Sequence, residues 1–236
     1  MVYAIKLMVN DIRNILRDRF LLYAAVAAPI MFVVLSRAVI PYISENFYYL
    51  EPYYPLLFML MVIMMPLMFG FITAFLIMDE RDEHLLTVLR VMPISRNGYL
   101  MYRMILMIVL AFVFIIVFPV LTGLIEVDFW LYLPIAVLFA LFTPVMALIV
   151  NILASNKVQA FAVFKTLGGV FFLPLFAFFT TNNIRYAFGV IPNFWSFMAL
   201  DQVLTEGTQD YVSLFIGFVF HFALLAVLFH IFNKKF

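Results

Sequence analysis

Apolar residues in this chain do not alternate with polar ones; they run on in six long blocks. The blocks cover about Phe20 to Ile43, Leu56 to Met78, Met104 to Leu124, Phe129 to Ala154, Val158 to Phe179 and Tyr211 to Phe232. Each exceeds the ~20 helical residues that cross ~30 Å of hydrocarbon. Backbone polar groups in lipid have to be satisfied within the protein, so the blocks predict helices. The alternation over ~10 residues that marks a barrel strand is missing. The pattern therefore predicts an all-α polytopic membrane protein, six transmembrane helices in one domain spanning residues 1–236.

The flanks of the blocks are patterned differently. Over residues 1–19, Ile5, Met8, Val9, Ile12 and Leu16 recur at helical spacing, with Lys6, Asn10, Arg13, Asn14 and Arg17 on the other side. That is an amphipathic helix for the interface, with Arg13 and Arg17 turned toward lipid phosphates. Charges run through it and no cleavage pattern follows, which argues against a signal peptide. The turns around Glu126–Asp128 and Ser155–Lys157 are minimal, so spans three, four and five form tight antiparallel hairpins. Two connections are long, residues 79–103 and 180–210. The second contains the apolar, aromatic run IPNFWSFMALDQVL, in which Pro192 is placed to start a helix and Trp195 suits the headgroup boundary. It predicts a re-entrant or interfacial helix.

Composition agrees: 67% of residues are hydrophobic, 11% are charged and 30 are Phe, with a mean hydropathy of +1.14. A soluble chain of this length has no core large enough to hide that surface. With no cysteine, a disulfide, a thiolate metal site and a cysteine nucleophile are excluded. The three histidines lack zinc-ligand spacing, so no metal is expected, nor is a nucleic-acid partner. Charge sets the orientation. With the N-terminus inside, Lys6, Arg13, Arg17, Arg19, Arg81, Arg90, Arg96, Arg103, Lys157, Lys165, Lys234 and Lys235 fall on the cytoplasmic side. Only Arg37 and Arg185 fall outside. The asymmetry places both termini in the cytoplasm of an inner-membrane protein.

The stretch DERDEHLLTVLRVMPISRNGYLMYR concentrates the remaining signal. Asp79, Glu80, Asp82 and Glu83 crowd its start, and Arg90, Arg96 and Arg103 its end, a polarity that complements a helix dipole. Leu85, Leu86, Leu89 and Met92 form an apolar ridge, and Pro93 stops the helix. Periodicity alone leaves two readings open: a helix that docks on a cytoplasmic partner, or an interfacial anchor for the hairpin.

The same stretch resembles the cytoplasmic signature of the ABC type-2 permease family, the membrane subunits of ATP-driven exporters. Glu80, Arg81 and Asp82 fall on its acidic start, and Leu86 and Leu89 on its leucines. Pro93, Ile94, Ser95 and Arg96 match its Pro-x-Ser-Arg, and Tyr99 and Arg103 its end. His84-Leu85 stand where the family usually has Gly-Thr. Asn10, Arg13, Arg17 and Asp18 resemble the family's lead-in to span one, and the wording ERDE…VMPIS…YLMYR is closest to fluoroquinolone-type drug-export permeases. The resemblance implies a permease that moves a hydrophobic or amphiphilic drug, lipid or peptide outward. It implies a separate nucleotide-binding subunit that holds ATP and Mg and pushes on the Glu80–Met92 helix, and a second permease chain, identical or not. Consistently, no G-x-x-x-x-G-K-[ST] phosphate loop occurs in this chain.

Within the spans a few residues stand out. Lys165 lies about two turns into span five, near enough to the boundary to snorkel. His221, near the middle of span six, reads either as a neutral histidine bonded between helices or as a proton relay or substrate contact. Gly168, Gly169 and Pro174 make span five the most deformable, a gate or a close-packing seam. Phe172 and Phe176 line an aromatic route or face lipid. Pro29, Pro66, Pro119, Pro134, Pro144 and Pro174 predict kinks, and Arg37 is expected to snorkel outward or pair with Glu45 or Glu51. Two rival readings remain: an intramembrane enzyme acting on lipids or peptides, and a membrane anchor or sensor subunit without transport.

Overall fold

A computed structural model of the chain describes residues 13, 15–82, 96–180 and 183–235. The expected interfacial helix over residues 1–19 thus falls largely outside the described residues; residues 13 and 15–17 are helical, with Arg13 and Arg17 exposed and Ile15 buried.

The described residues form helices and connecting turns. Span one is α1 (Arg19–Val34), which passes through one wide turn, Leu35–Val39, into α2 (Ile40–Asn46). Span two is α3 (Tyr54–Asp82) and span three α4 (Arg96–Thr122). Span four is divided into α5 (Phe129–Ala140) and α6 (Phe142–Leu153). Span five is α7 (Lys157–Phe172), continued by a tighter 3₁₀ segment, Leu173–Phe179. A second 3₁₀ segment, Asn183–Val190, leads to the short α8 (Asn193–Glu206), and α9 (Tyr211–Lys235) is span six. Among the described residues six helices are long and apolar enough to cross a membrane.

Spans two and four form the centre of the bundle: 83% of the first and 72% of the second are buried, against 22% to 33% of the other four. Gly70 lets the two approach. A Cβ there would stand 2.6 Å from the Thr143 carbonyl oxygen and 2.7 Å from Met146 Cβ, contact that only a small residue permits.

Polar end groups fix where the helices begin and stop. Asp128 Oδ1 accepts from the Trp130 and Leu131 amides at 2.9 and 3.0 Å, and Asn156 Oδ1 from the Gln159 amide at 2.9 Å. Both are N-cap bonds that satisfy otherwise orphaned donors. Arg37 is exposed at the outer end of span one, and among the described residues it pairs with no acid. Its Nη2 and Nε donate to the Val120 and Leu121 carbonyls at 2.7 and 3.0 Å, capping the C-terminal end of α4, where a cation complements the dipole. Gly123, at φ +58°, turns the chain directly beneath the guanidinium, leaving no room for a side chain.

The helices extend past the apolar runs. α3 continues to Asp82 and α4 starts at Arg96, so both protrude at the end of the bundle that carries most of the basic residues. Contacts join Asp79 to Lys157 and the Lys235 amine to the Ile152 carbonyl, so these helix termini share one end, the basic end. Residues 46–54, 122–129 and the 180–210 region lie at the opposite, acidic end.

Two core glycine expectations follow. Gly70→Val should lower the apparent melting temperature of the detergent-purified chain, since overpacking a tight seam costs about 1–3 kcal/mol. Gly168→Val and Gly169→Val should leave it near the parent, because nothing lies within 4 Å of a Cβ at either position.

Candidate functional site

At the basic end, the stems of the 83–95 segment are fastened together. Glu80, in the last turn of α3, pairs with Arg103 of α4 at 2.6 Å. The Tyr99 hydroxyl donates to the second Glu80 carboxylate oxygen, and the Arg103 guanidinium lies 5.1 Å from the centre of the Tyr99 ring. All three side chains are buried; Arg103 is only 2% exposed. A charge this deep persists only with partners, and removing one of a buried pair costs about 3–5 kcal/mol because the other is left uncompensated. The clasp therefore holds the end of α3 and the start of α4 together as a pair.

Glu80 thus turns inward to Arg103, while Asp82 is exposed and Arg81 half-buried. Glu83, Leu85, Leu86, Leu89, Met92 and Pro93 lie outside the described residues, as does the side chain of Arg96, which begins α4. A lesser pair, Asp79 with Lys157, ties α3 to α7 at the surface.

Span five carries the expected gate residues on an open face. Lys165, Gly169 and Phe176 are exposed, Gly168 and Phe172 half-buried and Pro174 buried. Among the described residues nothing lies within 4 Å of a Cβ at either glycine, so close packing between described helices does not account for them. The deformability has a visible form: α7 gives way to the 3₁₀ segment at Leu173, next to Pro174. In the tighter winding, Phe171's carbonyl would look to the amide of residue 174, and proline has none. Asn193, the first residue of α8, supplies the missing donor: its Nδ2 reaches the Phe171 oxygen at 2.6 Å.

That bond fixes the depth of α8. Its start also packs on Gly217 of α9, where a Cβ would lie 3.3 Å from Trp195 Cβ and 2.7 Å from Leu138 Cδ2 of α5, and Phe197 meets Phe139 at 5.7 Å. At a rise of ~1.5 Å per residue, Gly217 lies about 9 Å along its span from Tyr211. The exposed segment Asn183–Val190 leads into α8, whose first turns are buried against spans four, five and six.

His221 is fully buried on α9, edge-on to Phe142, and its Nδ1 bonds the Gly217 carbonyl of its own helix at 2.8 Å. Among the described residues it forms no hydrogen bond to another helix, the bond that the first of the two readings from the sequence requires. Among the described residues no three His, Cys, Asp or Glu side chains gather as metal ligands do.

A further feature at the acidic end has no signal in the sequence. A cleft of about 410 Å³ opens between the start of α3, the 3₁₀ segment of span five and α8. Tyr53, Leu56, Met59 and Phe178 supply apolar walls, with Arg185 and Asp201 among the lining residues. Burial pushes the Asp201 carboxyl above the usual aspartate range, Arg185 opposes the rise and Glu206 adds to it. Arg185 precedes the apolar run that predicts a helix and Asp201 lies within it, 16 residues on, so no single periodicity pairs them.

Residues 11–229 match the family model described as "Fluoroquinolones export permease protein Rv2686c-like". Two relatives from Mycobacterium tuberculosis are each 30% identical over 234 residues, covering 96% of this chain and 92% of the relative. They are the fluoroquinolones export permease proteins MT2760, of strain CDC 1551 / Oshkosh, and Rv2686c, of strain ATCC 25618 / H37Rv. No solved structure matches.

The clasp is testable by a double-mutant cycle. Arg103→Met should destabilise the purified chain strongly, and Glu80→Gln less. The pair of changes together should cost less than their sum, because no buried charge is then left alone. Thermal unfolding of the four proteins measures the coupling; strict additivity would mean that the pair contributes no interaction.

Proposed function

We propose, for a chain that belongs to the Rv2686c-like fluoroquinolone export permease family, that it is the membrane subunit of an ATP-driven exporter of amphiphilic drugs. In this reading the basic end faces the cytoplasm, both termini lie there, and a separate nucleotide-binding subunit carrying ATP and Mg docks on the 83–95 segment. The observation that carries the proposal is the family match across residues 11–229. Supporting it are the ABC type-2 wording of the 80–103 stretch and the absence of a phosphate loop in the sequence. The excess of Lys and Arg at the basic end supports the orientation.

The geometry suggests how force travels. A push on the 83–95 segment arrives at stems locked by Glu80, Arg103 and Tyr99, so α3 and α4 move together. α3 is the most buried span and runs against α6 through Gly70, which carries the movement into the centre of the bundle. The open face of span five, with Lys165, Gly168, Gly169 and Phe176, is the surface available to a second permease chain and to a route between the two.

The proposal is tested by Leu89→Asp. Leu89 belongs to the apolar ridge expected to seat in the ATPase, and a charge in that desolvated contact costs a few kcal/mol. The variant should insert in the membrane as the parent does yet fail to recover the ATPase subunit on co-purification, and lose drug-stimulated ATP hydrolysis. Recovery and stimulation equal to the parent would mean that the motor does not grip this segment. Hydrolysis by the permease chain alone would contradict the division of labour.

A further inference from the structure

The cleft at the acidic end is built unlike a lipid-packing defect. Its volume of about 410 Å³ falls within the ~300–1,000 Å³ of small-molecule sites. Apolar walls from Tyr53, Leu56, Met59 and Phe178 stand beside one cation, Arg185, and one anion, Asp201. The two charges are not spent on each other: no ion pair joins them, although each senses the other's field. Among the described residues, Arg185 gives one bond, from Nη2 to the Tyr186 hydroxyl at 3.2 Å, and stacks on that ring. A guanidinium has five donors, so most are left for a ligand. The Asp201 carboxylate accepts no hydrogen bond from a described residue; the Thr205 hydroxyl goes to its backbone carbonyl instead.

We propose that this cleft binds a zwitterionic amphiphile, its anionic group on Arg185, its cationic group on Asp201 and its apolar or aromatic body against the rings of Tyr53 and Phe178. The upward displacement of the Asp201 carboxyl supports this, since it marks a carboxylate whose charge is under-compensated. A ligand ammonium relieves that deficit, and an acid-only or base-only ligand leaves one of the two charges unmatched. The inference rests on the exporter reading, for which the cleft is the last site a substrate meets. The same chemistry belongs to two sources, a small exported compound or the headgroup of a zwitterionic lipid.

Binding to the full chain in nanodiscs distinguishes them, without any ATPase subunit. The first arm uses phosphatidylglycerol discs and ciprofloxacin, which carries a carboxylate and a secondary amine, together with its N-acetyl and methyl-ester derivatives. Each derivative should bind the parent chain about ten- to a hundred-fold more weakly, as loss of one charge-assisted contact requires. Asp201→Asn should weaken ciprofloxacin but leave the N-acetyl derivative unchanged, and Arg185→Gln should do the same for the methyl ester. The second arm asks whether native mass spectrometry retains phosphatidylethanolamine over phosphatidylglycerol on the parent and loses that preference in Asp201→Asn. Charge-matched losses in the first arm assign the site to a small compound, and in the second to a lipid headgroup. Equal binding of all three compounds to the parent, with no lipid preference, overturns the proposal, and that comparison needs no variant to fold. If the binding pattern holds while Leu89→Asp still couples to an ATPase, the cleft stands and the motor reading falls; the converse pattern leaves the exporter reading intact without this site.

Discussion

Every backbone polar group inside the apolar layer needs a partner from the protein, because hydrocarbon offers none. The prolines in the spans turn that rule into architecture. Pro119 removes the amide that would serve the Ile115 carbonyl one turn back in α4, and the Tyr132 hydroxyl of α5 takes its place at 3.1 Å. Pro174 leaves the Phe171 carbonyl without a donor, and Asn193 of α8 reaches it. In both cases a defect in one helix is repaired by a neighbour, so the repair is also a tether. The first tethers span three to span four; the second holds a short helix inside the bundle and creates the cleft beside it.

The two ends of the molecule solve different problems with the same means. At the basic end, a buried ion pair with a tyrosine partner fastens two long helices where a connecting segment leaves them. Such a pair adds little net stability over an apolar substitute, but it fixes the relative geometry of the two helix ends. At the acidic end, Arg185 and Asp201 are left with capacity to spare. One end is locked within the chain and the other is open to a ligand, as expected if force enters at one and cargo leaves at the other.

Much of this was legible in the sequence because run length is a local property. Six apolar blocks set the spans, Pro192 marked the start of α8, and the wording from Glu80 to Arg103 pointed to export permeases before any comparison. What escaped reading depended on partners far along the chain. Arg37 caps carbonyls 83 and 84 residues away, which no window of sequence reveals. Glu80 looked like a surface acid because its neighbours are acidic, yet Arg103 draws it inward. Of the prolines read as kinks, Pro29, Pro66, Pro119 and Pro134 lie inside continuous helices. Span four is interrupted at Leu141, three residues before Pro144, and span five changes winding at Pro174.

If the bond from Asn193 to the Phe171 carbonyl holds α8 within the apolar layer, α8 is re-entrant and not interfacial. The chain contains only two tryptophans, and they probe it directly. Trp195 lies in the first turn of α8, and Trp130 stands at the mouth of span four, exposed. Fluorescence quenching by lipids brominated at graded depths, on Trp130→Phe and Trp195→Phe chains, separates the two signals. Trp195 should be quenched most by bromines several carbons down the acyl chain, at the ~9 Å depth of its contact with Gly217, and Trp130 by the shallowest. If both show the same shallow maximum, α8 lies on the surface, and the tether, the cleft and the inference built on them fall together.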